Sequence, residues 1–287
     1  RLTGGVKVEH NDFTGWEWQP SVRIIWTPHP EQRLWAAVSR AVRTPSRGEE
    51  DARVNLYVMP PSPATGNLPV LFSLSGNSQL NSETLIAYEI GYRARVAERL
   101  SMDATAFYND YDQIIASVRG TPFPVTQINP PYLVAPLQLQ NSASGYNTGF
   151  ELAADWRPTQ DWRLQLAYSY LHQDISGNDG PIFGSGNLNQ VSLFSSWNLQ
   201  NNLSLDAWGR YVNFDGEIRT LSSLGSVSID PYFSLNLRLG WRPRKDLELS
   251  LVGANLLDDS HLEYVQEAYT FPVEVQRSIY GQVKWSF

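Results

Sequence analysis

The chain contains no cysteine. That removes disulfide frameworks, cysteine-ligated zinc and thiol nucleophiles together, and it suits an oxidising compartment. Charge is sparse as well: 18% of residues are Asp, Glu, Lys or Arg, against about 25% in soluble domains. The formal net charge of −7 speaks against a nucleic-acid partner, whose phosphates need clustered Lys and Arg. No stretch reaches the roughly 18 consecutive apolar residues of a membrane helix. The N-terminus, "RLTGGVKVEH", lacks a basic region followed by an apolar run, so it is no signal peptide and already reads as a strand.

Catalytic and metal chemistry is equally thin. His10, His29, His172 and His261 are scattered, with no two at metal-ligand spacing, and there is no G-x-S-x-G elbow. "GNDG" at 177–180 is turn chemistry, too short for a calcium loop. The expectation is a protein without catalytic residues, without a metal and without a cofactor.

What the chain has in abundance is aromatic residues, with 10 Trp, 14 Tyr and 11 Phe, and a period of two. In "DPYFSLNLRLGW", Phe233, Leu235, Leu237, Leu239 and Trp241 share one face; Ser234, Asn236, Arg238 and Gly240 share the other. "DLELSLVG", "DWRLQLAYSY", "RLSMDATAFY", "TLIAYEIGYR" and "GFELAADW" alternate in the same way, as does the terminal "RSIYGQVKWSF". Alternation of this length signals strands with one apolar and one polar face. About twelve are expected, near 1–10, 17–28, 32–43, 82–96, 99–113, 136–157, 161–175, 188–199, 203–216, 228–242, 246–257 and 275–287. Several exceed the usual length of about five or six residues and match the roughly 9–11 that cross a bilayer at a tilt. "QRLWAAVSRAVR" leaves its facing open, because Arg40 falls on the side of Leu34 and Val38.

The connections alternate in length. Short turns lie at "TPHPEQ", "RVAER", "RPTQD", "LQNN" and "RPRKD"; long loops lie near 44–81, 114–135, 176–187, 217–227 and 258–274, with "NDFTGW" the short member of that set. Membrane barrels of the bacterial outer membrane have this asymmetry, with short periplasmic turns and long extracellular loops. Strand parity then puts the C-terminus at the periplasmic side. Aromatics near strand ends (Trp162, Tyr168, Tyr170, Trp197, Tyr211, Trp241, Trp285) suit interfacial girdles. A soluble β-sandwich or propeller also alternates faces, but it does not account for long strands, loop asymmetry and low charge together. The expected fold class is all-β: a transmembrane antiparallel up-and-down β-barrel.

The ordered set of segments resembles the TonB-dependent outer-membrane receptors. The pieces are "LWAAVSRAVRTPSRGEED", like that family's strand ending in Arg-x-Pro before a long loop, "ETLIAYEIGYRARVAERLSMDATAFYNDYDQII", "NSASGYNTGFELAADWRPTQDWRLQLAYSYL", "GANLLDDSHLEYV" and "VQRSIYGQVKWSF". The resemblance covers essentially the whole chain and corresponds to the C-terminal half of such a barrel. It implies about twelve strands of a larger barrel of about 22, closed inside by an N-terminal plug. Neither plug, TonB-contact motif nor first strands are in this sequence. It further implies an active importer of an iron–siderophore complex, or a related scarce chelate such as cobalamin, energised by TonB through the missing N-terminal segment. A passive porin or channel is the first rival; an outer-membrane enzyme is a second and a soluble β protein a third.

Candidate residues follow from parity and loop position. Glu89, Arg93, Asp103, Glu151, Asp155, Arg163, Asp206, Arg210, Arg238, Glu248 and Lys284 fall on the expected inner wall, where mixed signs allow pairing with neighbouring strands or a plug. A hydrated wall without a specific role is the alternative for each singly. In the long loops Arg47, Arg53, Tyr57, Tyr132, Phe183, Arg219, Tyr264 and Tyr269 are candidate ligand contacts, since function concentrates on loops carried by a rigid scaffold. Aromatics with a few Arg suit an anionic, aromatic iron chelate; packing of loop against loop is the plainer role. The resemblance implies that Phe287, with Trp285, is the terminal signal read by the barrel assembly machinery, and it makes outer-membrane lipid a partner of the apolar face.

Overall fold

The computed structural model describes residues 1–177, 180–181, 185–216, 218–219, 226–263 and 273–286. Twelve wall strands follow in chain order: β1 (Leu2–Asn11), β2 (Gly15–His29), β3 (Gln32–Arg43), β4 (Glu83–Ala97), β5 (Leu100–Arg119), β6 (Tyr132–Trp156), β7 (Trp162–Gly177), β8 (Gly186–Gln200), β9 (Leu203–Gly216), β10 (Tyr232–Arg244), β11 (Leu247–Ala254) and β12 (Ser278–Trp285). Each pairs antiparallel with the next, so the order in the sheet is the order in the chain. This is the up-and-down architecture the alternating sequence predicts.

Register fixes the two faces. One rung runs Arg33, Arg93, Asp103, Ala153, Ala167, Ser192, Arg210, Ser234 across eight strands. The next runs Trp26, Leu34, Tyr92, Ala104, Leu152, Tyr168, Val191, Tyr211, Phe233. Since directly opposed residues share a face, the polar set and the apolar set are continuous surfaces. Among the described residues no second layer covers the apolar one: Trp26, Leu251, Ile279 and Val283 are 64%, 57%, 68% and 70% exposed. A single-layered wall with one bare apolar face has no second sheet to bury it, as a sandwich would. It is built for lipid on that side.

The open question about β3 is closed by its partners. Val38 opposes Val22 and Tyr88, whereas Ala37 opposes Arg23 and Glu89. Leu34, Ala36, Val38 and Arg40 therefore face outward, and Arg33 and Trp35 inward. Gly91, opposite Trp35, leaves room for the indole to lie flat on the inner face, because a Cβ there would collide with its ring. The Arg23 guanidinium sits 4.9 Å from the same ring centroid, a cation–π contact.

At the short-turn end the hairpins are tight, and register shifts fall beside them, at Trp26/His29, Arg95/Ala97, Asn198/Gln200 and Trp241/Arg244. Bulges at a barrel rim end the pairing and sharpen the local twist. Trp26, Trp156, Trp162, Trp197, Trp241 and Trp285 cluster at this end on the outward face. Trp162 and Trp197 lie 6.0 Å apart, and the Trp285 Nε1–H donates to Asp246 Oδ2 at 3.1 Å. An indole with its ring in the apolar band and its N–H on a polar turn is the expected interfacial anchor.

Two of the expected long loops are more ordered than the sequence suggests. Strand β5 continues to Arg119 and β6 starts at Tyr132, so the 114–135 loop is largely a hairpin extending the wall. The 44–81 loop holds a short helix, α1 (Arg47–Asp51), and a hairpin of Arg53–Met59 with Val70–Ser75. Val70–Ser75 then adds in parallel to Leu133–Gln138 of β6. Strands β10, β11 and β12 are shorter than expected, beginning at Tyr232, ending at Ala254 and beginning at Ser278. Among the described residues β1 pairs only with β2, and β12 only with β11, so the wall is an open sheet.

Candidate functional site

The inner face carries a ladder of ion pairs formed between strands. Arg93 of β4 pairs with Asp103 of β5, directly opposite. Arg163 of β7 donates from Nε to Asp155 Oδ2 of β6 at 2.9 Å, and Gln165 Nε2 adds a bond to the same oxygen at 3.2 Å. Further along, Ser196 Oγ donates to Asp206 at 2.6 Å, and Arg238 Nη1 to its other oxygen at 2.9 Å. Arg238 also pairs with Glu248, which accepts from Arg242 at 2.7 Å. Arg210 reaches off the wall to Glu263, beyond β11. Of the residues assigned to the wall by parity, these are paired. Glu89, Glu151 and Lys284 share the inner face but make no ion pair among the described residues.

At the long-loop end of the same face lies a recess of about 530 Å³ lined by Arg43, Glu49, Glu83, Tyr111, Ile114, Ile115, Gln173 and Ile175. Of its lining, Ile114 and Ile175 belong to a buried apolar cluster with Ala116 and Ala143, and Tyr111 packs against that cluster. The rim of the recess is charged. Arg43, the last residue of β3, donates from Nε and Nη2 to the two oxygens of Glu83 at 2.6 Å each, and from Nη1 to Glu49 at 3.1 Å. Glu83 Oε1 also accepts the backbone N–H of Ile115 at 2.8 Å. Pro45, two residues after Arg43, is the fully buried side chain at the entry to the loop.

Helix α1 is held in this network by its own capping. Ser46 accepts from the Glu49 N–H, and the Glu49 carboxylate accepts from the Ser46 N–H at 2.8 Å, a reciprocal capping box. Burial pushes the Glu49 carboxyl up, but the bonds from Arg43 and Ser46 outweigh it and leave its pKa below the usual carboxylate value. The helix's free carbonyls are taken by the loop's return: Gly76 N–H donates to Ala52 O and Asn77 N–H to Glu49 O. A side chain at position 76 would meet the Glu50 carbonyl at 2.5 Å, so glycine is required by the close approach.

Register separates the loop candidates. Between the Ile114–Ala143 and Ile115–Asn141 pairs, β6 advances two residues while β5 advances one. The parity of β6 therefore reverses above that point. Tyr132, Val134, Pro136 and Gln138 lie on the inner side with Ala116 and Val118, and Arg53, opposite Ser75 and hence Gln138, joins them. Tyr57 does not. It opposes Phe72, which opposes Ala135, and the two rings stack at 4.5 Å on the other face of this small sheet. Arg47 is exposed on α1, at 4.0 Å from Asp51. Phe183, Tyr264, Tyr269 and Phe287 lie outside the described residues, as does the side chain of Arg219.

Arg43, Glu83 and Tyr111 were missed from sequence. A signal existed, because Arg43 and Glu83 have the inner parity of their strands and Arg43 precedes Pro45 by two. The convergence of Glu49 upon them required the folded loop.

A family described as "TonB dependent receptor-like, beta-barrel" matches residues 1–256. Among curated proteins, an iron-regulated outer membrane virulence protein of Vibrio cholerae is 26% identical over 180 residues, which span 62% of this chain and 26% of that protein. Among solved structures, the siderophore receptor PirA of Acinetobacter baumannii aligns with a TM-score of 0.72 at 16% identity. A mutant of the ferric enterobactin receptor PfeA of Pseudomonas aeruginosa, in complex with enterobactin, aligns with a TM-score of 0.75 at 19% identity. Each alignment covers 100% of this chain and 43% of the solved one. The chain thus spans less than half the length of the relatives it matches.

Proposed function

The chain belongs to the TonB-dependent receptor-like β-barrel family, and on that footing we propose that it forms part of the wall of an outer-membrane receptor importing an iron–siderophore complex. The observation that carries the reading is the combination on one wall: a bare apolar exterior, a polar interior with charges paired strand to strand, and an ordered, charge-rimmed recess at the long-loop end. An open sheet edge has no water to satisfy it in hydrocarbon, so β1 and β12 pair with further strands of a larger barrel. The polar inner wall suits a removable plug better than a packed core does. Long loops on the cell surface and the C-terminus at the periplasmic side follow from the hairpin rhythm.

Binding of the chelate falls to Arg53 and Tyr132, on the inner side of the raised sheet, with Arg47 on α1 of the same loop as Arg53 and Phe183, Arg219, Tyr264 and Tyr269 on the remaining loops. Tyr57 contributes by packing on Phe72. Solved neighbours that handle siderophores favour an iron chelate over cobalamin as the solute. The chemistry is recognition and release; energy comes from TonB acting on the plug, and no bond in the solute is made or broken.

The test is binding and uptake of a panel of ferric chelates and cobalamin by the full-length receptor, in cells with and without TonB. Saturable binding of a ferric chelate, with uptake abolished without TonB, is the expected result. Uptake undiminished without TonB would identify a passive channel instead. Binding that survives Arg53→Ala and Tyr132→Ala together would remove those two residues from the site.

A further inference from the structure

Most Lys and Arg side chains of the wall strands point inward. Arg40 does not. It shares the outward face of β3 with Leu34, Ala36 and Val38, and stands opposite Ile86 of β4. Its position along the wall is one rung beyond Val38, Tyr88 and Tyr108, on a rung shared with Ile86 and Asp110. Trp16 and Trp18 of the neighbouring β2 face the same way, 66% and 58% exposed.

Among the described residues the guanidinium has one hydrogen-bond partner. The β2–β3 ladder stops at the Ser21–Ser39 pair, next to Pro20, which has no N–H to give. Arg40 reaches past this break and donates from Nη1 to the Trp18 carbonyl. Arg244, which also faces outward at the short-turn end, is held by Asp246 at 3.1 Å. Arg40 has no carboxylate partner among the described residues, and Ile86 separates it from outward-facing Asp110. An unpaired guanidinium turned toward hydrocarbon is strongly disfavoured, but the same group at headgroup depth is tolerated. Its planar fork then matches the geometry of a phosphate, and exposed indoles are at home at that depth.

We propose that Arg40, flanked by Trp16 and Trp18, is a docking site for the phosphate of an outer-leaflet glycolipid. One nitrogen is spent on the Trp18 carbonyl, which fixes the side chain along the wall; the remaining N–H groups face the lipid phosphate. The site lies outside the barrel and is independent of the imported solute. It does rest on the outward face being the lipid face and on the long-loop end lying at the cell surface.

The experiment uses the full-length receptor in detergent micelles, offered diphosphoryl lipid A, fully dephosphorylated lipid A or inorganic phosphate, with retained ligand read by native mass spectrometry. Diphosphoryl lipid A should be retained about tenfold more strongly than the dephosphorylated form. Arg40→Gln should abolish that preference, Arg40→Lys should keep part of it, and Arg95→Gln, at the opposite end of the wall, should leave it intact. Equal retention of the two lipids by the wild type, or an undiminished preference in Arg40→Gln, overturns the proposal. Inorganic phosphate retained with the same dependence on Arg40 overturns the lipid assignment. Labelling of an Asp12→Cys variant by an impermeant maleimide on intact cells is read in parallel. Labelling with no lipid preference condemns the lipid site alone, whereas absence of labelling shows that the orientation has failed and the proposal with it.

Discussion

Arg43 and Glu83 stand directly opposite each other on β3 and β4, and two guanidinium nitrogens of the one meet both carboxylate oxygens of the other at 2.6 Å. The pair closes the ends of the 44–81 loop on each other, and through Glu49 it fastens α1 to the same point. A loop of that length would otherwise carry a large ordering cost.

Breaking the pair should therefore free the loop before it harms the wall. With Arg43 half exposed, Arg43→Gln should cost only about 1 kcal/mol of local stability. The measurement is limited proteolysis within residues 44–81 of the full-length receptor. Cleavage should be faster in the variant while the heat-resistant barrel is unchanged on gels. Equal cleavage rates would show that the hairpin and its parallel pairing hold the loop without the ion pair.

Loop order should also depend on acid. The Glu49 pKa is lowered from 4.5 in the folded loop, with bonds from Arg43 and Ser46 overcoming burial. A carboxyl depressed by folding adds stability above its unfolded pKa and loses it as pH falls through the folded one. Protease sensitivity of the loop should accordingly stay flat near neutrality and rise only below about pH 4.5. A rise beginning near pH 6.5 would implicate a histidine instead.

Facing can be tested at neighbouring positions of β4. Ile90 lies on the outward rung and Ala87 on the inward one. Ile90→Lys should cost about 2–4 kcal/mol near the bilayer midplane and Ala87→Lys close to nothing. Both are measured by denaturant titration of the receptor folded into lipid vesicles. Similar costs at the two positions would refute the assignment of faces.

The terminal signal is tested by deleting Phe287. Inserted receptor should fall in cells, while the solute preference of the molecules that do insert is unchanged. Trp285→Ala, which loses the bond to Asp246, should act in the same direction and more weakly. Normal insertion of both variants would remove these residues from assembly.

Much of the wall was legible because a β-barrel is written in a period of two. In β10 each residue's face follows from its parity, and pairing with β9 and β11 changes nothing that Phe233 to Trp241 had not already declared. Hairpin order was legible for the same reason: turns such as "RPRKD" are too short to reach anything but the adjacent strand. Parity also placed Arg93 with Asp103 and Arg238 with Glu248 on one inner surface, although which partners would pair was not readable.

The sequence by itself thus determined a membrane-spanning, up-and-down β wall with a polar inside. The tertiary structure decided three things that period two cannot encode. It set the facing of β3, where Arg40 sits among apolar neighbours and only the opposing Val22 and Tyr88 identify the side. It reversed the parity of β6 through one added residue near Ser142, turning Tyr132 inward and Tyr57 away. It also folded the 44–81 loop onto β6 and brought Glu49 to Arg43 and Glu83. Alternation is a local property of the backbone, whereas bulges and loop docking are fixed by partners distant in the chain.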